Sequence, residues 1–319
     1  MVKIAVIYTG AVRTIETTID LFKKNVLEND NYHVFAVLQA ENKDFYENLI
    51  KNAIGENLKS LLWFNNSEEW LNLRDELIST MNINDSWKNY LKTSGSMIEY
   101  YQMYLSYKNI EIYEKENNIK YDFVLRFRTD TVLKDKIIFN YDMYDYDYAK
   151  NLLYQIKNNF NCENIIDYNV LCYFMNSFFS TTRVNYELNS ENCLTFLTRK
   201  RLLELTDETQ FINELVDYIK NGKYLIGLRV NVIYFIKREL MSDIYILGIS
   251  YGKYIMSNNN YWFNAESQLK EICIINGIDF FSSVNELEGS SLYNYNKSNY
   301  YDIDNNLKDD KYSFFIKRN

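Results

Sequence analysis

Three short apolar runs open the chain: residues 3–8 (KIAVIY), 33–38 (HVFAVL) and 60–64 (SLLWF). None of the three alternates cleanly between apolar and polar residues, so each reads as a strand covered on both faces, the habit of parallel sheets. Between the first two, Ile15, Ile19, Phe22, Val26 and Leu27 fall near helical spacing, and residues 45–54 repeat that pattern before the third. Antiparallel neighbours can be joined by a tight turn, but parallel ones need a crossover, and helices fill that place here. The order strand, helix, strand, helix, strand therefore predicts an α/β fold with a mostly parallel central sheet flanked by helices. Farther along, the acidic, tyrosine-rich residues 140–148 read as a loop, and the apolar and aromatic residues 168–179 and 244–249 read as strands. No linker, repeat or proline-rich hinge breaks the chain, which reads as a single domain.

The most chemically loaded stretch is residues 121–133, YDFVLRFRTDTVL. Tyr121, Phe123, Val124, Leu125 and Phe127 are strand formers, and Arg126, Arg128 and Asp130 alternate at period two, which puts them on one face. Two cations and a carboxylate at a strand end are costly to bury without partners. A phosphorylated ligand would supply one, with or without a divalent metal. An internal salt bridge of Asp130 with a neighbouring arginine is the other reading.

Two further segments invite an anion. Tyr8, Thr9, Gly10 and Arg13 end the first strand and open a helix, offering backbone amides, a helix dipole and a forked donor. With one glycine in place of a dinucleotide fingerprint, the same residues also read as an ordinary turn. Ser94 and Gly95 precede a long helix over residues 97–117, either as a simple cap or as small residues that admit a ligand close to the backbone. The chain has only nine glycines and no proline, so each glycine is informative.

Composition narrows the partners. A net charge of −8 and a pI near 5.0 argue against a phosphate backbone as the main partner. Cys162, Cys172, Cys193 and Cys273 show no metal spacing, and His33 is the single histidine, so zinc is not expected. No run approaches the roughly 20 apolar residues of a membrane span. A soluble, cytoplasmic protein is expected. His33, at a strand start, reads as structural.

With these residues in view, TGAVRT, the small-residue turn before a long helix, and YDFVLRFRTD together resemble the GT-A-type glycosyltransferases of polysaccharide and lipopolysaccharide synthesis, including relatives in large DNA viruses. A weaker echo lies in residues 228–231 (LRVN) and 264–268 (NAESQ). The resemblance implies a GT-A-like, Rossmann-like fold with a nucleotide-sugar over the carboxyl ends of the parallel strands. It implies host cytoplasm as the location if the chain is viral. Residues 1–135 would then be the nucleotide-sugar-binding half and 136–319 the acceptor-binding half. Tyr8, Thr9, Gly10, Arg13, Ser94, Gly95, Arg126 and Arg128 would contact the donor. Asp130 matches the last aspartate of the family's metal motif and would hold Mn²⁺ or Mg²⁺, while Arg128 stands where the first aspartate would be. A general base near the acceptor hydroxyl would come from Glu266 or Asp167, with Asp207 a further candidate; Glu266, the first choice, reads equally as a solvent-facing glutamate at a helix start.

The expected activity is transfer of a sugar from a nucleotide-diphosphate-sugar to a glycan or other hydroxyl acceptor, including a protein-linked glycan. A non-catalytic nucleotide- or glycan-binding module derived from such an enzyme is the alternative. A transferase using a phosphosulfate or methyl donor is a third, against which the lack of a glycine-rich loop counts.

Overall fold

The structure is a computed structural model that describes residues 2–27, 31–133, 136–181, 201–229, 232–246, 265–282 and 314–316. In chain order its elements are β1 (Ile4–Ala11), α1 (Ile15–Val26), β2 (Tyr32–Gln39), α2 (Lys43–Ile54), β3 (Leu58–Trp63), α3 (Glu68–Ser79), α4 (Asp85–Thr93), α5 (Gly95–Asn117) and β4 (Phe123–Arg128). There follow β5 (Thr131–Leu133), β6 (Ile137–Phe139), α6 (Tyr146–Asn159), α7 (Tyr168–Phe178), β7 (Phe179–Thr181), α8 (Glu208–Asn221), β8 (Tyr224–Arg229) and β9 (Ile233–Lys237). The last are α9 (Ala265–Ile275), β10 (Asp279–Ser282) and β11 (Phe314–Ile316). The chain forms two compact units, one of Met1–Thr131 with Asn231–Asn276, the other of Val132–Val230 with Gly277–Arg318.

The first unit is built on strands in the order β3–β2–β1–β4–β9. β3, β2, β1 and β4 are parallel, and β9 closes the row antiparallel to β4. This is the mostly parallel α/β sheet flanked by helices that the apolar runs predict. β1 and β2 are buried along nearly their whole length because helices cover both faces. On one face Tyr8 stacks on Phe22 of α1 at 4.4 Å between centroids, with Phe127 4.9 Å from Phe22. On the other, Phe35 and His33 meet Tyr113 of α5, and Arg126 meets Glu99 and Met103 of the same helix.

Ser67 and Asn84 accept from the backbone N–H of Trp70 and Trp87 and so start α3 and α4. α4 has no counterpart in the sequence reading. α5 ends where Asn118 turns left-handed, φ 49°.

The second unit pairs β6 with β7 antiparallel and β8 with β10 parallel. The Tyr218 hydroxyl of α8 donates to the Asp279 carboxylate at the start of β10. Sequence expectation and structure part in three places. Residues 168–179 carry strand-forming aromatics, yet α7 is a helix: its buried Val170, Leu171, Phe174 and Met175 keep helical spacing, and Asp167 caps it. Residues 140–148, expected as loop, hold a short 3₁₀ turn and the start of α6, because Asn140 and Asp145 each accept a backbone N–H from the following turn. Residues 244–249 were expected to form a strand; 244–246 instead belong to a π-turn, Ser242–Ile246, and 247–249 lie outside the described residues.

Candidate functional site

The strand order of the first unit has one reversal. From β1 the chain moves outward through β2 to β3, then crosses back by way of α5 to place β4 on the other side of β1. In open α/β sheets a ligand binds outside the carboxyl ends of the strands at such a reversal. Here those ends carry Gly10 to Arg13 from β1 and Arg128 to Asp130 from β4, two of the segments singled out from sequence. Thr9 and Arg128 are direct partners in the β1–β4 ladder.

The junction is tight. Thr129 donates its backbone N–H to the Thr9 carbonyl (3.2 Å) and its hydroxyl to the Ala11 carbonyl (2.8 Å). Thr18 of α1 donates its hydroxyl to the Thr129 carbonyl at 2.7 Å. Gly10 sits at φ +134°, and a Cβ there would lie 2.6 Å from the Thr129 hydroxyl oxygen. Only glycine meets both demands, so β4 can close on β1. The expected amide cradle is smaller than the sequence suggests: β1 stays in register with β2 as far as Ala11, and the Val12 N–H goes on to the Gln39 carbonyl at 3.1 Å.

α5 runs back from this edge. Its Glu99, one turn beyond Gly95, lies against the arginines, whereas Tyr113 and Glu114 near its far end meet His33 and the Tyr121 backbone N–H. The N-termini of α1 and α5 therefore both open at the carboxyl edge.

Arg126 and Arg128 share the face that α5 covers, as period two requires, but their fates differ. Arg126 is 0% exposed. Its Nε donates to the Met103 sulfur (3.1 Å), Nη1 to the Phe127 carbonyl (2.6 Å) and Nη2 to Glu99 Oε1 (3.0 Å). Tyr234, opposite Arg126 on β9, bonds to Tyr245 at 2.9 Å and to the same sulfur at 3.6 Å; burial holds its hydroxyl protonated well above the usual phenol range. Arg128 lies one pleat nearer the edge. Its Nε and Nη2 grip both oxygens of Asp130, at 3.0 and 2.7 Å, and its Nη1 faces Glu99 at 3.9 Å. The side chains of Arg128 and Asp130 keep 19% and 21% of their surface exposed.

The expected contact residues thus divide. Arg13 and Gly95 are exposed, and Arg128 is part-exposed at the edge. Tyr8, Thr9 and Arg126 turn inward: Tyr8 is packed on Phe22, which raises its phenol pKa by desolvation, and Arg126 is held by internal acceptors. Ser94 is buried at the α5 cap, with no partner for its hydroxyl among the described residues. Glu99 is the residue that sequence reading missed. A buried arginine predicts a carboxylate, but nothing local to YDFVLRFRTD says that it comes from α5.

The expectation of Mn²⁺ or Mg²⁺ on Asp130 finds no support in the donor set. Both carboxylate oxygens are engaged by one guanidinium, and among the described residues no group of three or more His, Cys, Asp or Glu could hold a metal ion. Asp167 accepts from the Asn169 N–H at 2.7 Å and Asp207 from the Gln210 N–H at 2.7 Å, so each starts a helix, α7 and α8. A cavity of about 430 Å³ in the second unit is lined, among the described residues, by Asp207, Thr209, Gln210, Asn213, Glu214 and Asp217, a polar and acidic wall. Glu266 falls in the first turn of α9, in the first unit; its side chain lies outside what the structure describes. Residues 230, 231 and 264 are likewise outside the described residues. His33 Nδ1 and the Tyr121 hydroxyl share a hydrogen bond at 2.6 Å, and burial, then Lys59 and Lys3, lower the imidazole pKa to about 4. No helix among the described residues is long and apolar enough to cross a membrane.

No protein-family model matches the chain, and no curated protein matches it. Among solved structures it is similar to the mannosyltransferase Ktr4p from S. cerevisiae, with 13% identity over 69% of this chain and 61% of that one, at a TM-score of 0.25. The complex of that mannosyltransferase with GDP aligns at the same identity and TM-score over 62% of its chain. So low a TM-score carries no weight here, and the site rests on strand order and ion-pair geometry alone.

Proposed function

We propose that the chain is a glycosyltransferase that takes a sugar from a nucleotide-diphosphate donor to a glycan or other hydroxyl acceptor. The observation that carries this reading is the single reversal of strand order. It brings Gly10, Arg13 and Arg128 to one carboxyl edge together with the N-termini of α1 and α5. Departure of a nucleoside diphosphate requires positive charge and oriented dipoles where negative charge develops. In this reading Arg13, which is exposed, and Arg128, which is part-exposed, do that work. Glu99 and Arg126 form the floor beneath them. An acceptor-binding role for residues 136–319, with Glu266 as general base, belongs to the same proposal. Asp167 is the weaker candidate, since capping α7 already accounts for it.

One observation favours a second reading. The charges of Arg126 and Arg128 are matched by Glu99 and Asp130, so the cluster carries no surplus cation at rest. That would suit a binding module that no longer turns over. Incubation with UDP- and GDP-sugars, scored for release of the nucleoside diphosphate, separates the two. Release by the wild type and its loss in Arg128→Met supports the transferase. Thermal stabilisation by a nucleotide-sugar without release supports the module. If no nucleotide-sugar either stabilises the protein or is cleaved, both readings fail.

A further inference from the structure

From the fork between Arg128 and Asp130 we infer that the edge binds a nucleoside diphosphate by exchange of anions and without a divalent metal: the diphosphate displaces Asp130 from Arg128. This rests on the nucleotide reading just proposed and says how that site works. Three features of the geometry lead to it. First, the Nε–Nη2 side of Arg128, an edge that grips two oxygens in parallel, is occupied by Asp130 at 3.0 and 2.7 Å, and the remaining nitrogen, Nη1, faces Glu99. A diphosphate presents the same pair of acceptor oxygens with more charge. Second, both partners are about one-fifth exposed, so the released carboxylate returns to water and the exchange exposes no buried charge. Third, Glu99 stays with Arg126 through the 3.0 Å contact and faces Arg128 only at Nη1, 3.9 Å away. The floor of the site can therefore stand still while the fork opens.

The exchange also answers the charge balance. At rest the two arginines and two carboxylates cancel; when Asp130 swings out, the diphosphate takes its place on Arg128 and supplies the negative charge that the carboxylate withdraws. Asp130 is on this account a competitor for the site and not a ligand of a metal. The two roles predict opposite signs for one substitution. Asp130→Asn removes the competing charge, so nucleoside diphosphate should bind about 5-fold tighter, the weight of a part-exposed ion pair. A metal ligand changed in the same way would weaken binding tenfold or more.

The test is calorimetric titration of the full chain with UDP, GDP, CDP and ADP, with EDTA and then with Mn²⁺ or Mg²⁺. The expected result is binding of at least one nucleotide that EDTA leaves unchanged, tighter in Asp130→Asn and lost in Arg128→Met, with circular dichroism showing each variant folded. Binding that appears only with metal, or that weakens in Asp130→Asn, overturns the exchange and leaves a metal-dependent nucleotide site. Should Asp130→Asn not fold, the EDTA comparison on the wild type still decides. No binding of any of the four under either condition overturns the nucleotide reading itself, and the exchange with it.

Discussion

Replacing Glu99 by glutamine tests the floor of the site, because it removes one charge and almost no volume. Arg126 is wholly buried, and apart from residue 99 its acceptors are a carbonyl and a thioether, the latter weak. Removing one partner of a buried ion pair costs about 3 to 5 kcal/mol, mostly the penalty of the stranded charge. The glutamine oxygen can still accept from Nη2, and Glu99 is 19% exposed, so the lower end applies, about 3 kcal/mol. For a chain of this size that is a fall of roughly 4 to 5 °C in Tm. Trp63, Trp70 and Trp87 all belong to the first unit, and Trp70 stacks on Tyr101 of α5 at 4.7 Å, so tryptophan fluorescence during urea unfolding reads the relevant transition. By contrast, Asp130→Asn opens a part-exposed pair and should cost about 1 kcal/mol or less. An Arg126→Met, Glu99→Leu double variant should lie closer to the wild type than either single change, since it strands no charge. Equal effects of Glu99→Gln and Asp130→Asn would refute the distinction between floor and fork. So would a double variant less stable than the sum of its singles.

Gly10→Ala should destabilise by about 2 to 3 kcal/mol, because alanine is strained at φ +134° and its methyl meets the Thr129 hydroxyl at 2.6 Å. Adding Thr129→Ala should restore the part owed to the clash and not the part owed to the backbone; urea midpoints of the pair separate the two, and a full restoration would show that the backbone is unstrained. His33 carries the pH dependence. Its folded pKa of about 4 lies below the 6.5 of an unfolded histidine, so above pH 6.5 neither state is protonated and nothing is lost. Between pH 6.5 and 4 the unfolded chain takes up a proton that the folded chain refuses, and stability falls by roughly 1 to 2 kcal/mol after allowance for the ring's partial exposure. Unfolding curves of wild type and His33→Gln at pH 7 and pH 4.5 check this; parallel losses in both proteins would sink it.

The sheet was legible in the sequence because strands covered on both faces must be apolar through their covered length, and 4–8 and 34–38 are. The two loops of the candidate site were legible for a related reason: polar and glycine residues at the ends of such runs have nowhere to lie except the sheet's edge. What could not be read was which helix covers which face, and that decides who neutralises Arg126. Glu99 stands 27 residues away, on a helix whose contacts are set by the return crossover to β4. The helix over 168–178 was missed because its aromatics argued for a strand, whereas the short polar cap at Asp167 and the spacing of its apolar residues argued for a helix, and spacing won. The arginines show most clearly where the period-two argument ends. Alternation establishes that Arg126 and Arg128 share a face, but in a sheet with both faces covered neither face meets water. Exposure then depends on distance from the strand's carboxyl end. Two residues of strand, about 7 Å, separate a guanidinium sealed under α5 from one that can still exchange its partner.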